Sequence, residues 1–332
     1  VVSRFEVNEP TWRDPKFLDG PTSRSMKTAF FFAIAVGMVA AASAAAKWSS
    51  SSRSPLGPQN WGSISGYELC GTGKSQSPIN INKASTTYKN HPALSFANGA
   101  GNIAFQMMNT GHAINALPSN PDGAPVLSGG PLGSATYRLY NIHIHFGNST
   151  LKSSEHAFEN TRTNGEFHIV TYKTTYGNIS AAVGSGEAGA LAVFGVLFDA
   201  RNVSNTDSGI TTFIDYASNL TYNGDSSTVS LPFPMMATTE DLKTFYTYSG
   251  SLTTPGCAEV VTWLVNDRIH YVTPDVMDQL AGLRSGNMSV PSYLLLDNTR
   301  PLQMLNGRVV ERNFEAPSAA SIVSGELNTV KR

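Results

Sequence analysis

The chain has 332 residues, a net charge of −1 and only 14% charged residues, so it lacks the basic stripe needed to bind nucleic acid and any strongly charged tail. An apolar fraction of 41% supports a sizeable core, and 29 Gly with 18 Pro suit many short strands joined by turns.

Residues 1–25 are charged and polar. Residues 26–46 read as a secretory signal: Met26-Lys27 is a short positive start, Ala29 to Ala42 is an apolar run, and Ala42-Ser43-Ala44 and Ala44-Ala45-Ala46 fit the small-x-small cleavage pattern. A mature start near Ala45 or Lys47 is expected. The alternative is an uncleaved anchor helix, for which this Ala-rich run is at the short end. Lys47–Gly57 is Ser-rich and reads as a linker. From Trp61 to about Phe314 the pattern is continuous, so one domain is expected over 58–315, followed by a polar, flexible tail over 316–332 without the hydrophobic end that a lipid anchor requires.

Within that domain, strands are predicted at Pro78–Ile81, Ile103–Met107, Ala113–Leu117, Tyr137–His145, Glu166–Lys173, Leu191–Phe198 and Glu259–Val265, several with polar and apolar residues alternating. The uninterrupted apolar run Ala190–Phe198 suggests a central strand covered on both faces. A helix is predicted with Thr273 as N-cap and Pro274 at its first position, ending near Gly286, and another around Thr211–Asn219. Two cysteines in an exported chain, Cys70 and Cys257, suggest one disulfide; two unpaired buried thiols are the alternative. Sequons at Asn148, Asn178, Asn202, Asn219 and Asn287 suit a glycosylated surface.

The chemistry concentrates in three histidines. His143 and His145 stand two apart in a strand, hence on one face about 7 Å apart, and a neighbouring strand ~5 Å away can bring His168 onto the same metal. Three imidazoles with one open position form the shell of a catalytic zinc rather than a structural one. Asn141 and Glu166 each stand two residues before a ligand, where an oxygen can accept from the ring N–H turned away from the metal. No His-Glu-x-x-His motif of a zinc peptidase occurs. His91 and His270 lack any such context and read as surface residues.

Gln76-Ser77-Pro78-Ile79-Asn80-Ile81, Asn109-Thr110-Gly111-His112, Tyr137-Arg138-Leu139 leading into the two histidines, Ser154-Glu155-His156, Glu166-Phe167-His168-Ile169-Val170, Ser251-Leu252-Thr253-Thr254-Pro255, Val261-Thr262-Trp263 and Asn298-x-Arg300-Pro301 follow one another along the chain. In this order they resemble the α-class carbonic anhydrases, from about Trp61 to Phe314. The resemblance implies an α+β fold: a single domain on a large, mainly antiparallel twisted β-sheet with peripheral helices. It implies reversible hydration of CO2 to bicarbonate and a proton by zinc-bound hydroxide. It also implies zinc on His143, His145 and His168, with Asn141, Glu166 and Asn298 behind them. Thr253 would accept a hydrogen bond from the hydroxide and donate one to Glu155. Thr254 would help position bicarbonate, and His112 would shuttle the proton. CO2 would lie against Val170, Val193, Leu252, Val261 and Trp263. His156 is expected to be buried and structural. Cys70 and Cys257 fit the disulfide position of extracellular members, and sulfonamides or anions are expected at the zinc. Three departures stand out: Phe146 where Trp is common, Asn141 where the longer Gln is common, and Ser63 where many members carry a Tyr near the proton path.

Overall fold

The computed structural model describes residues 48–204, 206–233, 237–289 and 293–315. The expected signal, the segment before it and the C-terminal tail lie outside the described residues. The first strands in chain order are β1 (Asn80–Ile81), β2 (Thr87–Tyr88), β3 (Leu94–Ala97), β4 (Asn102–Asn109), β5 (Ile114–Pro118), β6 (Val126–Gly129) and β7 (Tyr137–Phe146). There follow β8 (Ala157–Phe158), β9 (Gly165–Lys173), β10 (Leu191–Ala200), β11 (Ser226–Pro232), β12 (Phe245–Gly250), β13 (Val261–Asn266), β14 (His270–Val272) and β15 (Glu311–Arg312). The α-helices are short: α1 (Leu69–Thr72), α2 (Ile179–Gly184), α3 (Ser208–Ala217) and α4 (Pro274–Asp278).

Thirteen of the described strands form one mixed sheet, whose main path runs β11-β4-β5-β7-β9-β10-β13-β12-β15-β2. Its pairs are antiparallel except β10 with β13 and β14, and β15 with β2. β10 is central and covered on both faces, as its unbroken apolar run requires. Ala192, Phe194, Val196 and Phe198 enter one core beneath α3, while Leu191, Val193 and Leu197 enter a second core with Tyr248, Val261 and Trp263.

The parity of β7 is decided by an irregularity. Its pairing with β9 slips between Leu139 and Asn141. Tyr137 and Leu139 before the slip, and Ile142, Ile144 and Phe146 after it, therefore all reach the first core. The one extra residue reverses which alternate positions face inward. Asn141, His143 and His145 are thereby turned to the opposite face. His143 sits directly opposite His168 on β9.

Several expectations change. The Ser-rich stretch is not a free linker over its described part. Ser50 and Ser54 are buried, the Ser49 N–H donates to the Leu56 carbonyl at 2.9 Å, and Trp48 stacks on the domain. The helix at 274 starts as predicted, with Thr273 capping the Val276 N–H, but tightens to a 3₁₀ turn over Gln279–Gly282. It stops there because Arg284 and Leu295 are drawn into backbone bonds with Thr221 and Leu283. α3 begins earlier than predicted because the Asp207 carboxylate caps the Ile210 N–H.

His91 and His270 are not surface residues. The His91 side chain is only 9% exposed and lies 2.8 Å from Glu311. His270 is 2% exposed, with Nδ1 2.7 Å from Asp207 and Nε2 3.0 Å from Asp241. Burial works against its charge, but the two carboxylates outweigh it and raise its pKa to about 9. A raised folded pKa gives stability that is complete below the unfolded value of 6.5 and is lost as pH rises through 9. A stabilisation of about 3 kcal/mol follows from a shift of this size. Thermal unfolding is therefore expected to show a falling Tm between pH 6.5 and 9, a slope that His270→Gln abolishes. Parallel Tm profiles for the two proteins would refute it.

Candidate metal centre

β7 and β9 bring three ring nitrogens together. The ligand atoms of His143, His145 and His168 all lie within 4.8 Å of one another, and His143 Nε2 is 3.3 Å from His168 Nδ1. Burial, reinforced by the other two imidazoles, holds His143 well below its ordinary pKa, and burial likewise lowers His145. Neutral rings are the form that ligates metal.

Two of the three tautomers are set by hydrogen bonds. The Nδ1–H of His145 donates to the Asn298 carbonyl at 2.7 Å, leaving Nε2 bare. The Nε2–H of His168 donates to Glu166 Oε1 at 2.9 Å, leaving Nδ1 bare. Burial would raise the Glu166 pKa, but His156 and His168 outweigh it and hold the carboxyl well below its ordinary range. It is therefore an acceptor only. Gly195 on β10 makes room for it, since a Cβ there would stand 2.9 Å from Glu166 Oε1. The third expected bond is not made: Asn141 Oδ1 and His143 Nδ1 are both buried and without a partner. The shorter side chain of Asn is the physical reason.

The same carboxylate reaches further. Glu166 Oε1 is 2.7 Å from His156 Nδ1, His156 Nε2 is 2.7 Å from Tyr248 Oη, and Tyr248 Oη is 2.9 Å from Ser77 Oγ. The Ser251 N–H donates to that Ser77 oxygen, and the Trp263 indole donates to the Ser251 carbonyl at 3.1 Å. A continuous buried chain thus ties the candidate ligand His168 to the loop that carries Leu252, Thr253 and Thr254. His156 is structural, as expected. Tyr248 was not singled out by sequence, and Ser77 was quoted in a motif without a role, since neither spacing nor composition marks a partner so distant.

His143 and His145 line a cavity of about 300 Å³ that His112, Asn141, Val170, Leu252, Thr253, Thr254 and Asn298 also line, and His168 is buried beside them. Val193, Val261 and Trp263 are buried behind that wall rather than on it. Ile179 and Val183, one turn apart on α2, line it instead; their i, i+4 spacing was the signal that could have found them. Ser63 is exposed and is not among the lining residues. Glu155 is fully buried. Its Oε1 accepts from the Arg300 N–H at 2.9 Å, while Oε2 has no hydrogen-bond partner and lies 3.5 Å from His145 Nε2. The expected Thr253–Glu155 bond is therefore not formed, although Thr253 is buried on the same cavity wall. Cys70 and Cys257 form a disulfide. The sequon residues Asn178, Asn202, Asn219 and Asn287 are exposed, and Asn148 is half-buried.

Converging ring nitrogens of three histidines, two of them fully buried, with no hydrogen-bond partner for His145 Nε2, fit a metal ion. Fold and site together define a broad mixed sheet carrying a three-histidine cluster beside a cavity. Residues 56–314 match the eukaryotic-type carbonic anhydrase family, and the chain belongs to that family. It is 32% identical over 276 residues to carbonic anhydrase 1 of Mus musculus, covering 82% of this chain and all of that protein. It is also 32% identical over 280 residues to a putative carbonic anhydrase-like protein 2 of Caenorhabditis elegans, covering 81% of this chain and 80% of that one.

Proposed function

We propose that the chain catalyses the reversible hydration of CO2 to bicarbonate and a proton, with zinc held by His143, His145 and His168. The observation that supports this reading is the convergence of three ring nitrogens, two with tautomers set by Asn298 and Glu166, beside a cavity that His143 and His145 line. Bound there, zinc supplies a Lewis acid that brings the pKa of water to about 7, an effect for which carbonic anhydrase is the reference case.

The chain's own residues orient, desolvate and remove the proton. The Thr253 hydroxyl, on the cavity wall, accepts one hydrogen bond from the reacting oxygen, while Glu155 Oε2, left without a hydrogen-bond partner, lies 3.5 Å from His145 Nε2. Glu155 stays in place because Arg300 N–H holds its other oxygen. Val170 and Leu252 offer CO2 an apolar wall, with Val193, Val261 and Trp263 backing it. Thr254, exposed at the edge of the same loop, holds bicarbonate. His112 takes the released proton to solvent, a task suited to a group whose ordinary pKa is near neutrality.

Purified protein carrying one zinc is expected to hydrate CO2 in a stopped-flow indicator assay, and sulfonamides or small anions to block it at the metal. Zinc-loaded protein without activity would sink the reading and leave a carbonic-anhydrase-like binding protein. Glu166→Gln is expected to weaken zinc binding by about 10–100-fold, because a neutral amide oxygen is a weaker acceptor than the carboxylate that sets the His168 tautomer and orients its ring. A chelator competition titration measures this, and an unchanged affinity would refute the role of Glu166.

We further place the chain in the secretory pathway, as a secreted or cell-surface protein or one sent on to an organelle. The apolar run over 29–42, the sequons and the disulfide support this. Among the described residues no helix is long and apolar enough to cross a membrane.

A further inference from the structure

A groove of about 260 Å³ adjoins the metal-site cavity, and Tyr140 and Ile179 line both. Tyr140 is the extra residue at the β7 slip, which places it on the wall the two share. Pro118 and Tyr172, both buried, and the half-buried Leu117 add apolar surface, while the exposed Asp122 and Asn178 are polar members of the lining. The Tyr172 hydroxyl donates to the Gly177 carbonyl at 3.3 Å and ties down the turn in front of Asn178. Pockets for drug-sized ligands run from about 300 to 1,000 Å³, so this groove suits a group of roughly the size of one sugar ring.

Asn178 opens the triplet Asn178-Ile179-Ser180, an acceptor sequence for N-linked glycans. Its Oδ1 accepts from the Ala181 N–H at 2.9 Å, which orients the amide, and its Nδ2 donates to no protein atom among the described residues. A glycan replaces one hydrogen on Nδ2 and leaves the Oδ1 bond intact. The other sequons lack this combination. Asn219 Nδ2 donates to the Asp215 carbonyl at 2.8 Å and Asn148 is half-buried. None of Asn148, Asn202, Asn219 and Asn287 lines the groove or the metal-site cavity. We propose that Asn178 carries an N-linked glycan whose first sugar folds into this groove against Tyr140 and so holds α2 in place beside the metal-site cavity.

This rests on the reading that the chain enters the secretory pathway, which supplies the donor, a lipid diphosphate-linked oligosaccharide. Nδ2 attacks the anomeric carbon of that donor. The C–O bond to the diphosphate breaks, a C–N bond forms, and Nδ2 gives up one proton. The groove's occupant is the chain's own glycan because the attachment atom belongs to the groove's own lining. The C–H face of the sugar meets the apolar side chains, and the Asp122 carboxylate can accept from its hydroxyls. α2 has only six residues, too few to hold itself together without packing. Its Ile179 and Val183 line the metal-site cavity, so a sugar packed behind Ile179 steadies that wall.

The test expresses the full chain in a eukaryotic host and reads each sequon by glycopeptide mass spectrometry. Asn178 is expected to be occupied. An exported chain with Asn178 bare overturns the proposal and leaves the secretory reading standing, whereas a chain kept in the cytosol removes both. Packing is read from the rate at which a peptide N-glycosidase releases the Asn178 glycan from native protein. Release from wild type is expected to be at least about tenfold slower than from Tyr140→Ala, which opens the groove. That factor corresponds to burial of roughly 55 Å² of apolar sugar surface. The two should be released equally fast once denatured. Equal rates from the native proteins would mean a glycan turned to solvent and would overturn the groove as its seat. Ser180→Ala removes the acceptor triplet and keeps the Asn178 cap, so it serves even where Tyr140→Ala fails to fold. Hydrogen exchange of the α2 amides is expected to run about threefold faster or more in Ser180→Ala than in the glycosylated chain. Exchange at the same rate would show that the sugar does not hold α2.

Discussion

Replacing His143 with Ala is expected to abolish CO2 hydration, with a fall in kcat/KM of at least about 10³, or about 4 kcal/mol of transition-state stabilisation. The size follows from geometry. His143 Nε2 is 3.3 Å from His168 Nδ1, so its ring forms one side of the nitrogen cluster. Two histidines in place of three lower metal occupancy and leave too few protein ligands to hold a catalytic geometry. The fold should survive, because His143 is half-buried and faces the cavity rather than either apolar core. Zinc content by mass spectrometry, Tm and a hydration assay on one preparation check all three statements. A variant that keeps wild-type turnover would remove His143 from the centre. Loss of activity together with unfolding would contradict the claim that the site is separable from the core. His143 also lacks the outer partner that Asn298 and Glu166 give the other two ligands, so its tautomer is the least restrained of the three.

Breaking the disulfide should cost most in stability. Cys70 and Cys257 close a loop of 187 residues, for which chain entropy predicts about 5 kcal/mol. Total domain stabilities are only about 5–15 kcal/mol, so Cys70→Ser with Cys257→Ser is expected to lower Tm by about 10 °C or more. The damage should also reach the site. The Cys257 N–H donates to the Thr254 carbonyl at 2.9 Å, and Leu252 N–H donates to Ala258, so the crosslink braces the loop carrying Leu252, Thr253 and Thr254. It also packs against Trp61, whose ring meets that of Trp48 edge-on. Calorimetry and hydration kinetics on the double Ser variant test both effects. A Tm shift below about 2 °C would show that the crosslink adds little to folding.

The parts legible from sequence share one property: their signal is local. Alternation in Tyr137–Phe146 and Gly165–Lys173 marked two strands and put His143 with His145, and Thr273-Pro274 marked a helix start at the right residue. The unbroken apolar run Ala190–Phe198 marked a strand covered on both faces, observed over Leu191–Ala200. The parts that were not legible depend on partners far along the chain. His270 has no neighbour in sequence that hints at burial; its carboxylates come from Asp207 and Asp241. His91 is similarly matched by Glu311, 220 residues away. Trp48 sits in a Ser-rich stretch whose composition reads as a linker, and only Trp61 and His112 give its ring a place. Short strands such as β3, β6 and β14 carry too few residues for a period to show.

By itself, then, the sequence determined the family, the three candidate ligands and the strands that bear them, because residue type and a two-residue period are properties of a few adjacent positions. Tertiary structure alone decided which way those strands face and what stands behind them. The slip between Leu139 and Asn141 sets the facing of β7, and pairing of His143 with His168 sets the cluster. It also decided that Asn298 and Glu166 complete their hydrogen bonds while Asn141 and Thr253 do not make theirs to His143 and Glu155. Those outcomes turn on donor–acceptor distance and angle, which residue identity alone does not fix.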